Sequence, residues 1–93
     1  MAKYFNFTKD MIVKGKYSNG NTALSVIDDD GLPIAKLTTN IEDINLKDGE
    51  VIIKNYSENE GVLQDLIDMG IVNEPHLIIP SRFVEFNICK LNM

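Results

Sequence analysis

Hydrophobic and polar residues alternate at helical spacing over one stretch of the chain, residues 57–70. Apolar residues recur there every three or four positions, which places them on one side of an α-helix, and polar residues fall on the other side. The apolar side comprises Val62, Leu63, Leu66, Ile67 and Met69, and the polar side comprises Gln64, Asp65 and Asp68. The pattern therefore predicts one amphipathic helix with an acidic face.

The ends of this helix have their own signals. Ser57 and Glu60 have the S-x-x-E spacing of a capping box, in which each side chain accepts a backbone N–H that the first turn leaves unpaired. Gly70 can adopt the left-handed conformation that closes a helix. We therefore predict a helix that begins at Ser57 and ends before Gly70, with Gly61 in its interior at a cost of about 1 kcal/mol relative to alanine.

Before the helix, short alternating segments separated by turn residues are typical of antiparallel β structure. The turns fall at residues 18–21, 28–31 and 47–50, and the predicted strands lie around residues 11–17, 22–27, 32–38 and 51–56. In the first turn, Asn19-Gly20 predicts a two-residue hairpin, because both residues accept a positive φ. Pro33 lacks an N–H, which favours the start of a strand or a sheet edge.

After the helix, residues 77–80 are too short and too close to prolines to predict a strand. Residues 83–91 alternate clearly. Val84, Phe86 and Ile88 share one face, and Glu85, Asn87 and Cys89 share the other. The whole pattern predicts a single α+β domain over residues 1–93, with about five strands in one mostly antiparallel sheet and the helix packed on its apolar face.

Composition narrows the setting of this domain. No apolar run approaches 18 residues, so we expect no membrane span, and the chain start lacks the apolar core and cleavage site of a secretory signal. A cytoplasmic location follows as the expectation. Cys89 is the only cysteine, so it has no partner for an intramolecular disulfide, and its place in a predicted strand indicates a buried, inert thiol.

Charge is distributed unevenly along the chain. The net charge is −5, but residues 1–20 sum to +3 and residues 28–74 sum to −9. An acidic surface repels nucleic-acid phosphates and attracts basic protein surfaces. We therefore expect no direct nucleic-acid binding, and a protein partner with a basic surface is one hypothesis. The alternative is that these acids only keep the protein soluble.

No catalytic or metal-binding constellation is recognisable. The run Asp28–Asp30 lacks the alternating spacing of a calcium loop and is better explained as a turn. His76 is the only histidine and has no second histidine or cysteine nearby to complete a zinc site. The sequence therefore predicts no cofactor, no metal and no enzymatic activity.

The segment Tyr56-Ser57-Glu58-Asn59-Glu60-Gly61, with residues 49–55 before it, residues 70–72 and the tail 80–91, resembles a family of small bacterial proteins known only as a domain of unknown function. Residues 17–21 and 30–35 extend the resemblance over most of the chain. Members of such families are often encoded near phage, plasmid or other mobile-element genes. The resemblance therefore implies an accessory role, and it supplies no catalytic residues.

The first functional hypothesis is an interaction protein, for example a mobile-element inhibitor of a host defence nuclease. Its acidic helix face and the aspartate-rich turn Asp28–Asp30 would occupy a basic nucleic-acid groove, with Glu58, Asp65 and Asp68 as phosphate mimics and Tyr56 as an aromatic anchor. Under this hypothesis, reversing Asp65 and Asp68 to lysine abolishes binding without unfolding the protein.

Two alternatives come from other classes of protein. In a small-ligand module, the region around Gly61 and the loop Pro80-Ser81-Arg82 would frame a pocket, where Arg82 captures an anion such as a nucleotide phosphate. In a structural subunit, an exposed strand edge would join copies of the chain into a homo-oligomer.

Overall fold

A computed structural model describes residues 7–93, so the chain start that bears on a secretory signal lies outside the described residues. The elements, in chain order, are a 3-10 turn Lys9–Met11, β1 Ile12–Lys16, β2 Thr22–Ile27, β3 Pro33–Lys36, β4 Glu50–Ile53, a 3-10 turn Ser57–Asn59, α1 Val62–Asp68, β5 Leu77–Pro80 and β6 Glu85–Lys90. The α+β class agrees with the prediction. The single sheet does not, because the six strands form two antiparallel sheets, ordered β1-β2-β3 and β4-β6-β5.

The segment between β3 and β4 divides the strands between two sheets. Leu37 N–H donates to Leu24 O of the first sheet at 2.9 Å, and Thr39 N–H donates to Ile52 O of the second sheet at 3.1 Å. Thr38, between them, forms a bridge with Ile53. Within three residues the chain changes its hydrogen-bonding partner from β2 to β4, and a second sheet begins at this point.

Strand β5 corrects the expectation that residues 77–80 are too short for a strand. It pairs with β6 over its whole length, from Leu77 opposite Ile88 to Pro80 opposite Glu85. A four-residue segment has too little pattern to predict a strand by itself, and here pairing with β6 stabilises it. The edge strands are β1 and β3 in the first sheet and β4 and β5 in the second. Of these, β3 and β5 each contain a proline that lacks an N–H, which blunts that edge against further pairing.

The hairpin between β1 and β2 forms where Asn19-Gly20 predicts it, but with a longer turn. Tyr17 N–H donates to Asn21 O at 2.8 Å, and Gly20 N–H donates to Tyr17 O at 2.9 Å. Gly20 has a φ of 89°, whereas Asn19 does not have a positive φ. The prediction of two adjacent positive φ values is therefore wrong, and the glycine alone takes the left-handed position of a longer hairpin loop.

The hydrophobic core lies between the two sheets and the helix. Its buried members include Leu24, Val26, Leu37, Val51, Ile53, Val62, Leu66, Ile71 and Cys89. Burial raises the pKa of the Cys89 thiol to about 11, as predicted for an inert cysteine in a strand. The predicted alternation of one buried and one exposed face fails at the end of β6. Ile88 and Cys89 lie on opposite faces of the strand and both are buried, so both faces of the sheet are covered there.

The helix is shorter than predicted because Gly61 interrupts it. Gly61 has a φ of 97°, so α1 begins only at Val62, and residues 57–59 form a separate 3-10 turn. Ser57 itself has a positive φ and makes no capping hydrogen bond, so the capping-box prediction is wrong. Asn55 takes over the capping role. Its Oδ1 accepts the N–H of Gly61 at 3.1 Å and that of Leu63 at 2.9 Å.

Replacing a glycine inside a helix by alanine is expected to stabilise the protein. At Gly61 we expect the opposite effect. Gly61→Ala is expected to lower the free energy of unfolding by about 1–2 kcal/mol, because a Cβ is strained at a left-handed φ. Urea denaturation measures the change. Gly15→Ala is the control, since its φ is not positive and nothing lies within 4 Å of the added Cβ. Unchanged stability of Gly61→Ala would contradict the left-handed turn.

Candidate functional site

The predicted acidic face of the helix does not form as a surface. Asp65 is fully buried, at 0 % exposure, together with Val62 and Leu66 of the core. The physical reason is the spacing, because positions three and four residues after Val62 share its side of the helix. Asp65 therefore cannot serve as an exposed phosphate mimic. Asp68 remains exposed and accepts a hydrogen bond from Gln64 Nε2 at 2.8 Å.

Glu58 and Tyr56 share a lysine. Lys54 Nζ donates to the Glu58 carboxylate, and this hydrogen bond lowers the pKa of Glu58 and raises the pKa of Lys54. The same Nζ lies 5.9 Å from the centroid of the Tyr56 ring. The charge of Glu58 is therefore largely compensated within the chain. The acids proposed as phosphate mimics thus lie in three different surroundings: Glu58 is paired, Asp65 is buried and Asp68 is exposed.

Tyr56 and Arg82, singled out for different hypotheses, line the same cavity. This polar cavity has a volume of about 380 Å³ and is also lined by Asn55, Ser81, Phe83, Val84, Glu85 and Asn87. The β5–β6 hairpin forms one side of it, and Ser81 N–H closes the hairpin by donating to Val84 O at 2.8 Å. Arg82 and Phe83 lie at the tip of this hairpin, where the Phe83 side chain is 87 % exposed.

The polar cavity has several free hydrogen-bond donors. Within residues 7–93, the ion pairs are those of Lys54 with Glu58 and of His76 with Glu50, so the Arg82 guanidinium keeps its five N–H groups for a ligand. Asn55 uses its Oδ1 in capping α1, which leaves its Nδ2 group available to donate. The cavity can therefore bind an acceptor-rich group.

A second cavity adjoins the first. This apolar cavity, of about 400 Å³, lies between α1 and residues 74–78 and is lined by Asn55, Gly61, Leu63, Gln64, Ile67, Glu74, Pro75, Ile78 and Asn87. Asn55 and Asn87 line both cavities, so the two cavities adjoin at these side chains, and we call the pair the α1–β5 cleft. Gly61 thus lies at its apolar end and Arg82 at its polar end.

Sequence reasoning missed two contributors to this cleft. Phe83 was assigned to a strand, although its place at a hairpin tip is what exposes it. Asn55 had no distinguishing signal, because its capping role requires the left-handed Gly61 that turns the helix start toward it.

A third cavity, of about 290 Å³, lies along β1 and shares no lining residue with the α1–β5 cleft. It is lined by Lys14, Gly15, Lys16, Thr22, Asp48, Gly49, Leu91 and Met93. Lys14 Nζ already donates to Met93 O at 3.3 Å. This cavity contains two cationic side chains but no aromatic one.

The described residues contain no metal site. Residues 7–93 bring together no group of three or more His, Cys, Asp or Glu side chains that could hold an ion. Asp28 instead closes a turn, since its Oδ1 accepts the N–H of Asp30 and of Leu32, each at 2.9 Å. Within the same part of the chain, no helix is long and apolar enough to cross a membrane.

Glu50 gives the protein a pH-dependent contact. Its carboxylate accepts the backbone N–H of Lys47 at 2.8 Å and lies 2.5 Å from His76 Nε2, and these contacts lower its pKa below the usual 4.5. A lowered carboxyl pKa contributes stability above the unfolded value, and this contribution is lost as the pH falls through the folded value.

Wild type is therefore expected to be more stable than Glu50→Gln near neutral pH, with the difference vanishing as the pH falls below 4.5 through the lowered pKa. Thermal unfolding of the two proteins at a series of pH values measures this difference. Glu42→Gln, at an exposed turn, controls for the loss of one negative charge. A difference that persists at low pH would contradict the role of Glu50.

No protein-family model, curated protein or solved structure matches this chain. The resemblance to a family of unknown function therefore stays a prediction, and function is argued from the α1–β5 cleft.

Proposed function

We propose that the protein is a binding module for a small organic anion, which enters the polar cavity and pairs with Arg82. One observation carries the proposal. The polar cavity brings the only arginine of the chain together with hydroxyl and amide groups and an exposed aromatic ring, while Arg82 has no acidic partner among residues 7–93.

Arginine suits this role because its planar guanidinium presents a fixed fork of donors, which matches the two oxygens of a carboxylate or phosphate. An exposed arginine alone is ordinary. Here the hydroxyl groups of Tyr56 and Ser81 and the amide of Asn87 line the same cavity and supply additional hydrogen bonds. Phe83, which is 87 % exposed beside them, offers an apolar surface for the body of a ligand.

The charges of the cleft favour a ligand with one negative charge. Glu85 lines the polar cavity beside Arg82, and Glu74 lines the apolar cavity. Arg82 can pair with one negative charge, and with one cation against two acids in the lining, each additional negative charge on a ligand meets net repulsion. A monocarboxylate is therefore favoured over a phosphate monoester or a nucleotide, which carry more than one negative charge at neutral pH.

The other two hypotheses have less support. With Asp65 buried and Glu58 paired to Lys54, Asp68 alone remains of the exposed acids proposed to mimic phosphates. Pairing of copies through β3 or β5 meets Pro33 or Pro80, neither of which can donate a backbone hydrogen bond, and this leaves β1 as the proline-free edge for such pairing in the first sheet.

Isothermal titration calorimetry with hexanoate, benzoate, inorganic phosphate and ATP tests the proposal. We expect a monocarboxylate to bind more tightly than ATP, and Arg82→Gln to weaken its binding about tenfold or more, as for a charge-assisted hydrogen bond. Lys9→Gln removes an exposed cation that lines none of the cavities above and should bind like wild type. The proposal fails if none of the four compounds binds, or if Arg82→Gln binds as tightly as wild type.

A further inference from the structure

We infer that the ligand of the α1–β5 cleft is amphipathic, with its anionic head on Arg82 and an apolar tail in the apolar cavity. This inference rests on the proposed function and names the class of ligand. Arg82 does not line the apolar cavity, and a small polar anion bound to Arg82 would leave that cavity empty.

The two cavities meet at fixed groups. Asn87 belongs to β6, the central strand of its sheet, and is paired with Ile53 on one side and Ile78 on the other. Asn55 is held by the two N–H groups that its Oδ1 accepts at the start of α1. In the proposed binding mode, a ligand bound to Arg82 passes these two amides and places its tail in the apolar cavity.

The second cavity contains apolar side chains that are partly open to water, next to polar residues at its rim. Leu63 and Ile67 are four residues apart on α1, so they share one side of the helix, and both pack against the core with part of their surface left uncovered. Ile78 of β5 contributes to the same cavity and is 48 % exposed. An alkyl or aryl tail would remove this apolar surface from water, which is the main source of binding free energy for such a group.

A small molecule fits this cleft better than an extended peptide. A peptide that enters a groove between a helix and an edge strand gains affinity by pairing with the outer N–H groups of that strand. At β5, Pro80 has no N–H, so a paired peptide would lack a hydrogen bond at this end of the strand. Each cavity instead has a volume within the range of about 300–1,000 Å³ that small-molecule sites occupy.

A series of straight-chain carboxylates from butanoate to decanoate tests the inference by calorimetry. For wild type, the affinity should rise about three- to fourfold with each added methylene until the apolar cavity is full. Octyl phosphate, compared with octanoate, shows which head group Arg82 prefers. Because the two share a tail, both should bind more tightly than butanoate.

Two variants separate head from tail. Arg82→Gln should weaken all chain lengths by a similar factor. Ile78→Thr should flatten the dependence on chain length and leave butanoate unchanged. Ile34→Thr is the matched control, because Ile34 is 54 % exposed on edge strand β3 of the other sheet and lines none of the three cavities. Circular dichroism verifies that each variant is folded.

The outcomes distinguish this inference from the proposed function. Binding that depends on Arg82 but not on chain length would overturn the amphipathic ligand and leave the anion-binding function intact. A chain-length dependence that Ile34→Thr flattens as much as Ile78→Thr would overturn the location of the tail. Failure of every compound to bind would reject the proposed function and this inference together.

Discussion

Asp65→Lys is expected to unfold the protein, whereas Asp68→Lys is expected to fold like wild type. Asp65 is fully buried beside Val62 and Leu66, so a lysine there would bring a longer, oppositely charged side chain into the core. Leaving a charge unpaired in a core costs several kcal/mol, a large part of the roughly 5–15 kcal/mol that stabilises a typical domain. Asp68 is exposed, and a surface substitution usually changes stability by no more than about 0.5 kcal/mol.

Circular dichroism and urea denaturation of the two variants measure this contrast. Asp65→Asn is the intermediate variant, since it keeps the size of the side chain and replaces one carboxyl oxygen by an NH2 group; we expect it to fold with reduced stability. Wild-type stability of Asp65→Lys would contradict the buried position of Asp65. It would also restore the acidic helix face on which the interaction-protein hypothesis depends.

Asn55→Ala is expected to lower the free energy of unfolding by about 1–3 kcal/mol, because the N–H groups of Gly61 and Leu63 lose their acceptor. Asn55→Asp keeps an oxygen at the same position and should retain most of the stability. The two variants thus separate the capping role of Asn55 from its place between the two cavities.

Urea denaturation and calorimetry with octanoate together measure both roles. Asn55→Asp adds a negative charge to the lining of both cavities, so it should weaken anion binding while the protein remains stable. If Asn55→Ala were as stable as wild type, Asn55 would not be the cap of α1. If Asn55→Asp bound octanoate as tightly as wild type, the anion would not lie in this cleft.

Local features of the fold could be predicted from the sequence. The position of the β1–β2 hairpin follows from Asn19-Gly20, and the inert Cys89 follows from its place in a strand. The first residue of the helix could not be predicted, because the spacing of Ser57 and Glu60 also fits a capping box, which would start the helix at Ser57. One left-handed residue, Gly61, distinguishes the two arrangements, and its N–H is held by Asn55 Oδ1.

The division into two sheets depends on contacts between residues far apart in the chain. The buried Thr38 hydroxyl accepts the N–H of Leu24 at 3.1 Å and shares a hydrogen bond with the Tyr17 hydroxyl at 2.9 Å. These partners lie 14 and 21 residues away. Hydrophobic periodicity reports which face of a strand is buried, but not which strand lies beside it, so a single sheet was the simpler prediction.

The candidate site was predictable only in part. Arg82 and Tyr56 were each recognisable as binding groups by their chemistry. Their meeting in one cavity depends on the β5–β6 hairpin, and β5 was not predicted as a strand. The prediction places Asp65 on the exposed face because the residue is polar, although it lies three residues after Val62 and so shares the buried side of α1.

The most direct test of the α1–β5 cleft is a ¹H–¹⁵N correlation NMR titration with octanoate. We expect the largest shifts at the Arg82 Nε–H and at the side-chain amides of Asn55 and Asn87, with smaller shifts at the backbone of Ile78. Shifts concentrated at Lys14 and Lys16, which line the third cavity, would contradict the account, as would the absence of shifts at saturating octanoate.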